Sequence, residues 1–291
     1  MMTDVTPTKT HRDENFPVAS LLIAPRHRAT ILAFYRFVRA ADDVADSPVL
    51  PAAEKIARLD RLEADLLGGA DPAPAALALR RALAARNLSP RHAQDLLAAF
   101  RTDATKLRYR DWDDLIGYCT YSAMPVGRFV LDVHGEDRRT WPASDALCAA
   151  LQIINHLQDC GKDYRALDRV YIPLDAIARH GVKIEDLGAE RASPALTNCV
   201  RDLTARTSEL LRQAAPFSMM IEDLRLALEV AVIHRLAESL VHRLMRRDPL
   251  RERVHHNAAE AAGLAAAAIL AALPRRAGRR SASPQREIQD V

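Results

Sequence analysis

The chain has 291 residues, 49% hydrophobic and 27% charged, which excludes a disordered polymer and leaves ample length for a sizeable core. Lysine and arginine total 41 against 38 aspartates and glutamates, a near balance that gives no sign of a nucleic-acid binder. Only 10 glycines, plentiful Ala, Leu and Arg, and repeated 3.6-residue periodicity without any alternating strand series point to an all-α chain.

In chain order, the N-terminal "MMTDVTPTKTHRDEN" lacks the apolar core of a signal peptide, and residues 1–14 read as a flexible arm. A first helical run begins near Arg26, carries Ile31, Leu32, Phe34, Val38 and Ala41, and stops at "ADSPVLP", where Ser47-Pro48 breaks it. "AAEKIARLDRLEADLL" is a second helix closed by Gly68-Gly69, followed by "PAPAALALRRALAARN". "SPRHAQDLLAAFRTDATK" has Ser89 as its N-cap and Pro90 at the first helical position. In "DWDDLIGYCTYSAMPVGRFVLDVHG", Asp111 or Asp113 caps the start and Pro125 is expected to kink the helix in its middle. "SDALCAALQIINHLQDCGKDYRAL" continues as a strong helix from Ser144, and "DRVYIPLDAIARHGV" reads as a loop and a short helix. Three further helical runs end at Leu273.

No linker divides the chain, so residues 15–273 are expected to form one domain, with a disordered basic tail over 274–291. The apolar run "AAGLAAAAILAAL" is shorter than the roughly 20 residues needed to span a bilayer and reads as a packed terminal helix. Cys119, Cys148, Cys160 and Cys199 show no C-x-x-C and no framework spacing, as expected for reduced thiols of a cytoplasmic protein.

Two segments concentrate negative charge on faces that the apolar pattern turns inward. Tyr35, Arg39, Asp42 and Asp46 fall at i, i+4, i+7 and i+11, so a phenol, a guanidinium and two carboxylates share one stripe. Asn155, Asp159 and Asp163 step by four, lining one face over two turns while Leu151, Ile154 and Leu157 turn to the core. Oxygen-only donor sets select hard cations such as Mg²⁺, commonly shared with substrate phosphates. One D-x-x-x-D alone usually marks a solvated face; two acidic helices, the second with an amide in register, argue for metal and a diphosphate between them. The glycine and glutamate of an EF-hand loop are missing, and the two Glu-x-x-His pairs of a di-iron bundle are reduced to one, "ERVH". There is no Ser-His-Asp set, Walker loop or G-x-G-x-x-G fingerprint.

"FYRFVRAADDVAD", "YCTYSAMPVGRFVLDVHG" and "LQIINHLQDCGKDY…DRVYIP" together resemble the squalene/phytoene synthase family, in order from about Asn15 to Pro173 and more weakly beyond. The resemblance implies one all-α isoprenoid-synthase domain around a central cavity. It implies Mg²⁺ as cofactor, with Asp42, Asp46, Asn155, Asp159 and Asp163 as its ligands. It further implies catalytic roles for Tyr35 and Tyr118, and substrate binding by Arg39, Asn155, Arg253 and Phe16, an aromatic at the cavity mouth.

Departures from the family pattern narrow the choice. "ENFPVAS" replaces the Ser-x-Ser-Phe of coupling members, Gln158 replaces an arginine before Asp159, "SAMPVG" replaces an Ala-Gly pair, and no tyrosine follows Tyr171. These stretches and "HLQD" resemble instead the family's bacterial hopanoid-pathway branch, which takes presqualene diphosphate and water to hydroxysqualene and diphosphate. Lys162 either compensates for the missing arginine or extends to solvent. The implied mechanism is ionisation: Mg²⁺ and Arg39 stabilise the departing diphosphate, and the cation rearranges in an apolar cavity and takes up water. The rings of Phe16, Tyr35 and Tyr118 fit either cation stabilisation or ordinary core packing. A lipid product and the basic C-terminal end favour peripheral contact with an anionic membrane surface, although a solvated tail is the simpler reading. The alternative enzyme is a synthase joining two prenyl diphosphates to presqualene diphosphate or phytoene. The alternative without catalysis is a helical prenyl-binding protein, against which the metal-type carboxylates speak.

Overall fold

A computed structural model describes residues 22–281, with side chains described through residue 273. The arm at 1–14, Phe16 and residues 282–291 lie outside the described residues.

The helices follow the apolar periodicity closely. The first is α1, Pro25–Ala45, with proline in its first turn; α2, Ala52–Leu67, ends at Gly68. Gly68 has φ +138°, a conformation that side-chain-bearing residues rarely adopt. Then come α3, Pro74–Ala84, and α4, Arg91–Asp103, where Ser89 Oγ accepts from the Arg91 N–H at 3.1 Å. The α5 helix, Trp112–Ser122, is capped by Asp111, whose carboxylate accepts from the Asp114 N–H. Pro125 does not kink a continuous helix: the chain breaks at Ala123 (φ −129°, ψ −48°), and Pro125 sits in the first turn of a separate α6, Met124–His134. Proline is well suited to that position, because the amide hydrogen it lacks would have no helical partner there.

The central helix α7, Trp141–Gln158, gives way at Asp159 (φ −100°, ψ 9°) to α8, Cys160–Leu167. The second acidic segment is therefore two helices with Asp159 at the joint, not one. The step of four survives, since the Asp159 N–H donates to Asn155 O at 2.9 Å and the Asp163 N–H to Asp159 O at 2.8 Å. After α8, Asp168 adopts a left-handed conformation (φ 51°), and Val170 N donates to Leu107 O at 2.9 Å. This pairing, an isolated bridge between Arg108 and Val170, delivers Arg169 and Tyr171 inward. The remaining helices are α9, Leu174–Arg179; α10, Pro194–Ala214; α11, Phe217–Met220; α12, Leu224–Leu244; and α13, Ala258–Ser281. The α13 backbone runs eight residues beyond Leu273, so 274–281 is helical where a disordered tail was expected. Proline's fixed φ is itself helical, and the neighbouring alanines and arginines favour continuation.

Two apolar clusters hold the helices together. One joins α1, α2, α3, α4 and α6 around Phe34, Phe37, Leu59, Leu79 and Phe129, with Phe34 and Phe129 stacked at 3.8 Å. The other joins α5, α7, α10 and α12 around Leu115, Ile153, Leu203 and Leu240. The α13 run lies on α12 through Val232, Leu236 and Ala268, as a packed terminal helix. Among the described residues no helix is long and apolar enough to cross a membrane. At the seam between the two large clusters lies a cavity.

Candidate active site

The cavity measures about 1080 Å³ and is lined from α1, α4, α5, α6, α7, α8 and α12. That is at or above the roughly 300–1,000 Å³ typical of small-molecule sites, so it suits a large ligand. Its wall is polarised. One end carries Asp42, Asp46, Asn155, Asp159, Asp163, Arg39, Lys162 and Arg253; the rest is largely Ile31, Phe34, Leu147, Val130, Leu226 and Ile233.

Tyr35, Arg39, Asp42 and Asp46 all line this cavity, as the i, i+4, i+7, i+11 stripe requires, and Asn155, Asp159 and Asp163 line it as well. The two segments meet electrostatically. Burial, then Asp159 and Asp46, raise the Asp163 carboxyl to about 7. Such mutual repulsion is relieved by a cation, and the donors are hard oxygens, so the set fits Mg²⁺ by chemistry. It is not a tight preformed cage: among the described residues no three acidic, His or Cys groups converge as a metal site. Protein cations hold the carboxylates instead. Arg39 contacts Asp42 at 2.7 Å and Asp43 at 2.8 Å, Arg169 contacts Asp46 at 2.5 Å, and Lys162 lies 3.8 Å from Asp159.

Tyr118 also lines the cavity, and its hydroxyl donates to Asp103 at 2.8 Å. Arg253 reaches the acidic end beside His255. Gln158 does not line the cavity: it is buried behind the wall, its amide donating to the Val254 carbonyl. Lys162 does face the cavity, with its ammonium near Asp159, while remaining 60% exposed.

A buried polar cluster behind the acidic end escaped sequence reasoning. Asp103, 5% exposed, accepts from Tyr118 and, at 3.3 Å, from Tyr171. Burial pushes its carboxyl up to about 6, against the opposing pull of Arg169 and the two phenols. The Arg169 guanidinium donates to Asp46 and, at 3.0 Å, to the Ala45 carbonyl, tying this cluster to the end of α1. His156 stacks on Tyr171 with ring centroids 3.5 Å apart and planes inclined by 13°. Burial, and secondarily Arg169, lower its imidazole to about 3, so the ring is neutral near pH 7. Glu229 on α12 is buried at the cavity wall. A lone carboxylate in the otherwise apolar run "LALEVAVI" was the available signal for Glu229; Asp103 and Arg169 gave none by spacing.

Gly127 sets the distance between α6 and α7. A Cβ there would fall 2.4 Å from Ser144 Oγ and 2.6 Å from Cys148 Sγ, both on the cavity face of α7.

Comparisons with known proteins place the chain in a family. The chain is 62% identical over 247 residues to a hydroxysqualene synthase of Rhodopseudomonas palustris, covering 85% of each protein. It is 52% identical over 259 residues to a hydroxysqualene synthase of Zymomonas mobilis, covering 88% of this chain and 87% of that one. A squalene synthase structure from Alicyclobacillus acidocaldarius superposes with a TM-score of 0.71 at 32% identity, covering 81% of this chain and 90% of that one. A dehydrosqualene synthase in complex with ligand, 20% identical with a TM-score of 0.78, covers 90% of this chain and 93% of that one and shares the fold. A family model described as squalene/phytoene synthase matches residues 9–260. With the helical cavity and its two acidic segments, that match makes the chain a member of the squalene/phytoene synthase family.

Proposed function

We propose that the chain converts presqualene diphosphate and water to hydroxysqualene and diphosphate. The observation that carries this reading is the polarised cavity: carboxylates of two segments at one end and an apolar chamber of about 1080 Å³ behind them. Identity of 52–62% to hydroxysqualene synthases over most of the chain supports the choice of reaction.

The acidic end orients the substrate. Asp42, Asp46, Asn155, Asp159 and Asp163 would hold Mg²⁺, which when bound supplies Lewis-acid stabilisation of the departing diphosphate. Arg39, Lys162 and Arg253 line the same end and offer charge-assisted hydrogen bonds to phosphate oxygens. Negative charge grows on those oxygens as the carbon–oxygen bond breaks, so these contacts strengthen towards the transition state. The apolar wall confines the hydrocarbon and excludes bulk water from the cation. Tyr118, fixed by its bond to Asp103, lines the cavity and brings an aromatic ring, whose π face favours cations, to its wall. The lipid product favours release at an anionic membrane surface, and α13 exposes Leu270 and Leu273 near the basic C-terminal end.

The test is product analysis with presqualene diphosphate and farnesyl diphosphate supplied separately, with Mg²⁺ and with or without NADPH. Hydroxysqualene from the first substrate alone, unchanged by NADPH and abolished by EDTA, is expected. Efficient condensation of farnesyl diphosphate would instead move the chain to the coupling reaction.

A further inference from the structure

We propose that Gln152, fixed by His156, which is stacked on Tyr171, holds the water molecule that quenches the carbocation, and thereby directs the product to an alcohol instead of an olefin. This rests on the hydroxysqualene-forming reading above.

Depth in the cavity selects this pair. The α7 helix and the joint after it face the cavity with Ser144, Leu147, Cys148, Gln152, His156 and Asp159. At about 1.5 Å rise per residue, His156 lies about 4.5 Å and Gln152 about 10.5 Å along the axis from Asp159, whereas Ser144 is about 22 Å away. The cation arises at the carbon that held the diphosphate and migrates over neighbouring carbons. Its quenching water must therefore sit within the first two turns from the acidic end. Below Gln152 the same face carries Leu151, Cys148 and Leu147, which offer a water little to bind.

The pair is also built to hold something. Gln152 Nε2 and His156 Nε2 are 3.1 Å apart. The imidazole is 9% exposed and held flat against Tyr171, whose hydroxyl is committed to Asp103. Asp103 already accepts from both Tyr118 and Tyr171, which leaves it a poorer water site. With His156 Nε2 accepting one amide N–H, Gln152 keeps its second N–H and its carbonyl oxygen, a donor and an acceptor for a water whose remaining lone pair points into the chamber.

In the step itself, a water lone pair forms the new C–O bond and fills the empty orbital of the cation. One O–H bond then breaks, its electrons staying on oxygen, and the proton passes to an oxygen of the released diphosphate. No electrons enter or leave, and the protonation of His156 is the same before and after.

The ratio of hydroxysqualene formed to diphosphate released reads this role, because a residue that only supports the fold lowers both together. His156→Phe keeps a flat ring on Tyr171 without nitrogens; Gln152→Met removes the amide partner at similar length. From presqualene diphosphate, His156→Phe is expected to lower the ratio at least fivefold with C30 olefins appearing in place of alcohol. Gln152→Met should shift it the same way, and His156→Asn should recover part of the alcohol. An unchanged ratio in His156→Phe and Gln152→Met overturns the proposal, as does loss of diphosphate release to background in both with melting temperatures intact, which would place the pair in ionisation. If His156→Phe does not fold, Gln152→Met decides. Wild-type enzyme that forms no hydroxysqualene marks failure of the parent reading instead.

Discussion

Arg169 Nη1 lies 2.5 Å from Asp46 Oδ1, joining the loop after the second acidic segment to the end of the first acidic helix. The arginine side chain is 7% exposed and the aspartate 47%, so the pair reaches from the buried Asp103 cluster to the open acidic end of the cavity. One residue thus couples the position of a candidate metal ligand to the packing behind it.

Removing that link leaves Asp103 buried without its neighbouring positive charge. Arg169→Leu should cost about 1–3 kcal/mol, below the about 3–5 kcal/mol of breaking a wholly buried pair because Asp46 is half exposed. A drop of several degrees in Tm, together with weaker activity, is expected. A variant with wild-type Tm and turnover would show the contact to be incidental.

The carboxylates at the acidic end should matter for turnover and not for folding. Asp42→Asn and Asp159→Asn are expected to lower diphosphate release at least 100-fold while leaving the helical circular dichroism spectrum intact. Mg²⁺ with inorganic diphosphate should raise the wild-type Tm by mass action, a gain that EDTA reverses and these variants lack. Near-normal turnover in saturating Mg²⁺ would remove the cluster from the mechanism.

Much of this architecture was legible in the chain because it is local. The apolar period of 3.6 marked the helices, and a step of four placed Asp42 and Asp46, then Asn155, Asp159 and Asp163, on inward faces. What stayed hidden is non-local or depends on breaks in helices. Asp103, Tyr118 and Tyr171 meet from three separate segments, and no spacing rule relates them. The joint at Asp159 interrupts a pattern that reads as continuous helix, because the i→i+4 hydrogen bonds persist through it. Gln158 stands at an informative position in sequence but faces the Val254 carbonyl, so its charge difference from arginine acts away from the cavity wall.

Gly127 tests how closely α6 and α7 must approach. Gly127→Ala places a methyl group against Ser144 Oγ and Cys148 Sγ, inside contact distance of both. Overpacking of this kind costs about 1–3 kcal/mol. A lower Tm and a reduced rate with presqualene diphosphate are expected, and an unchanged Tm would show that the helices separate without penalty.

His27 should make stability fall on mild acidification. It is buried, its ring tilted by 39° against His134 with centroids 4.1 Å apart, and guanidinium nitrogens of Arg26 and Arg86 lie 2.9 and 3.1 Å from its ring nitrogens. Burial first, then His134, Arg26 and Arg86, lower its pKa from 6.5 to about 4, with Asp223 opposing. Between those values the unfolded chain binds more protons, so its contribution is full above pH 6.5 and is lost as pH falls towards 4. Tm measured from pH 7 to 5 should drop less steeply in His27→Gln than in the wild type. His156, shifted in the same direction, keeps the residual slope above zero. Equal slopes would contradict the assignment.

The central claim is that a carbocation formed in this cavity is captured by water. Turnover of presqualene diphosphate in ¹⁸O-labelled water, followed by mass spectrometry of the C30 product, tests it most directly. Hydroxysqualene carrying one ¹⁸O in its hydroxyl group is the expected result; an unlabelled alcohol, or a product with no oxygen at all, would contradict it.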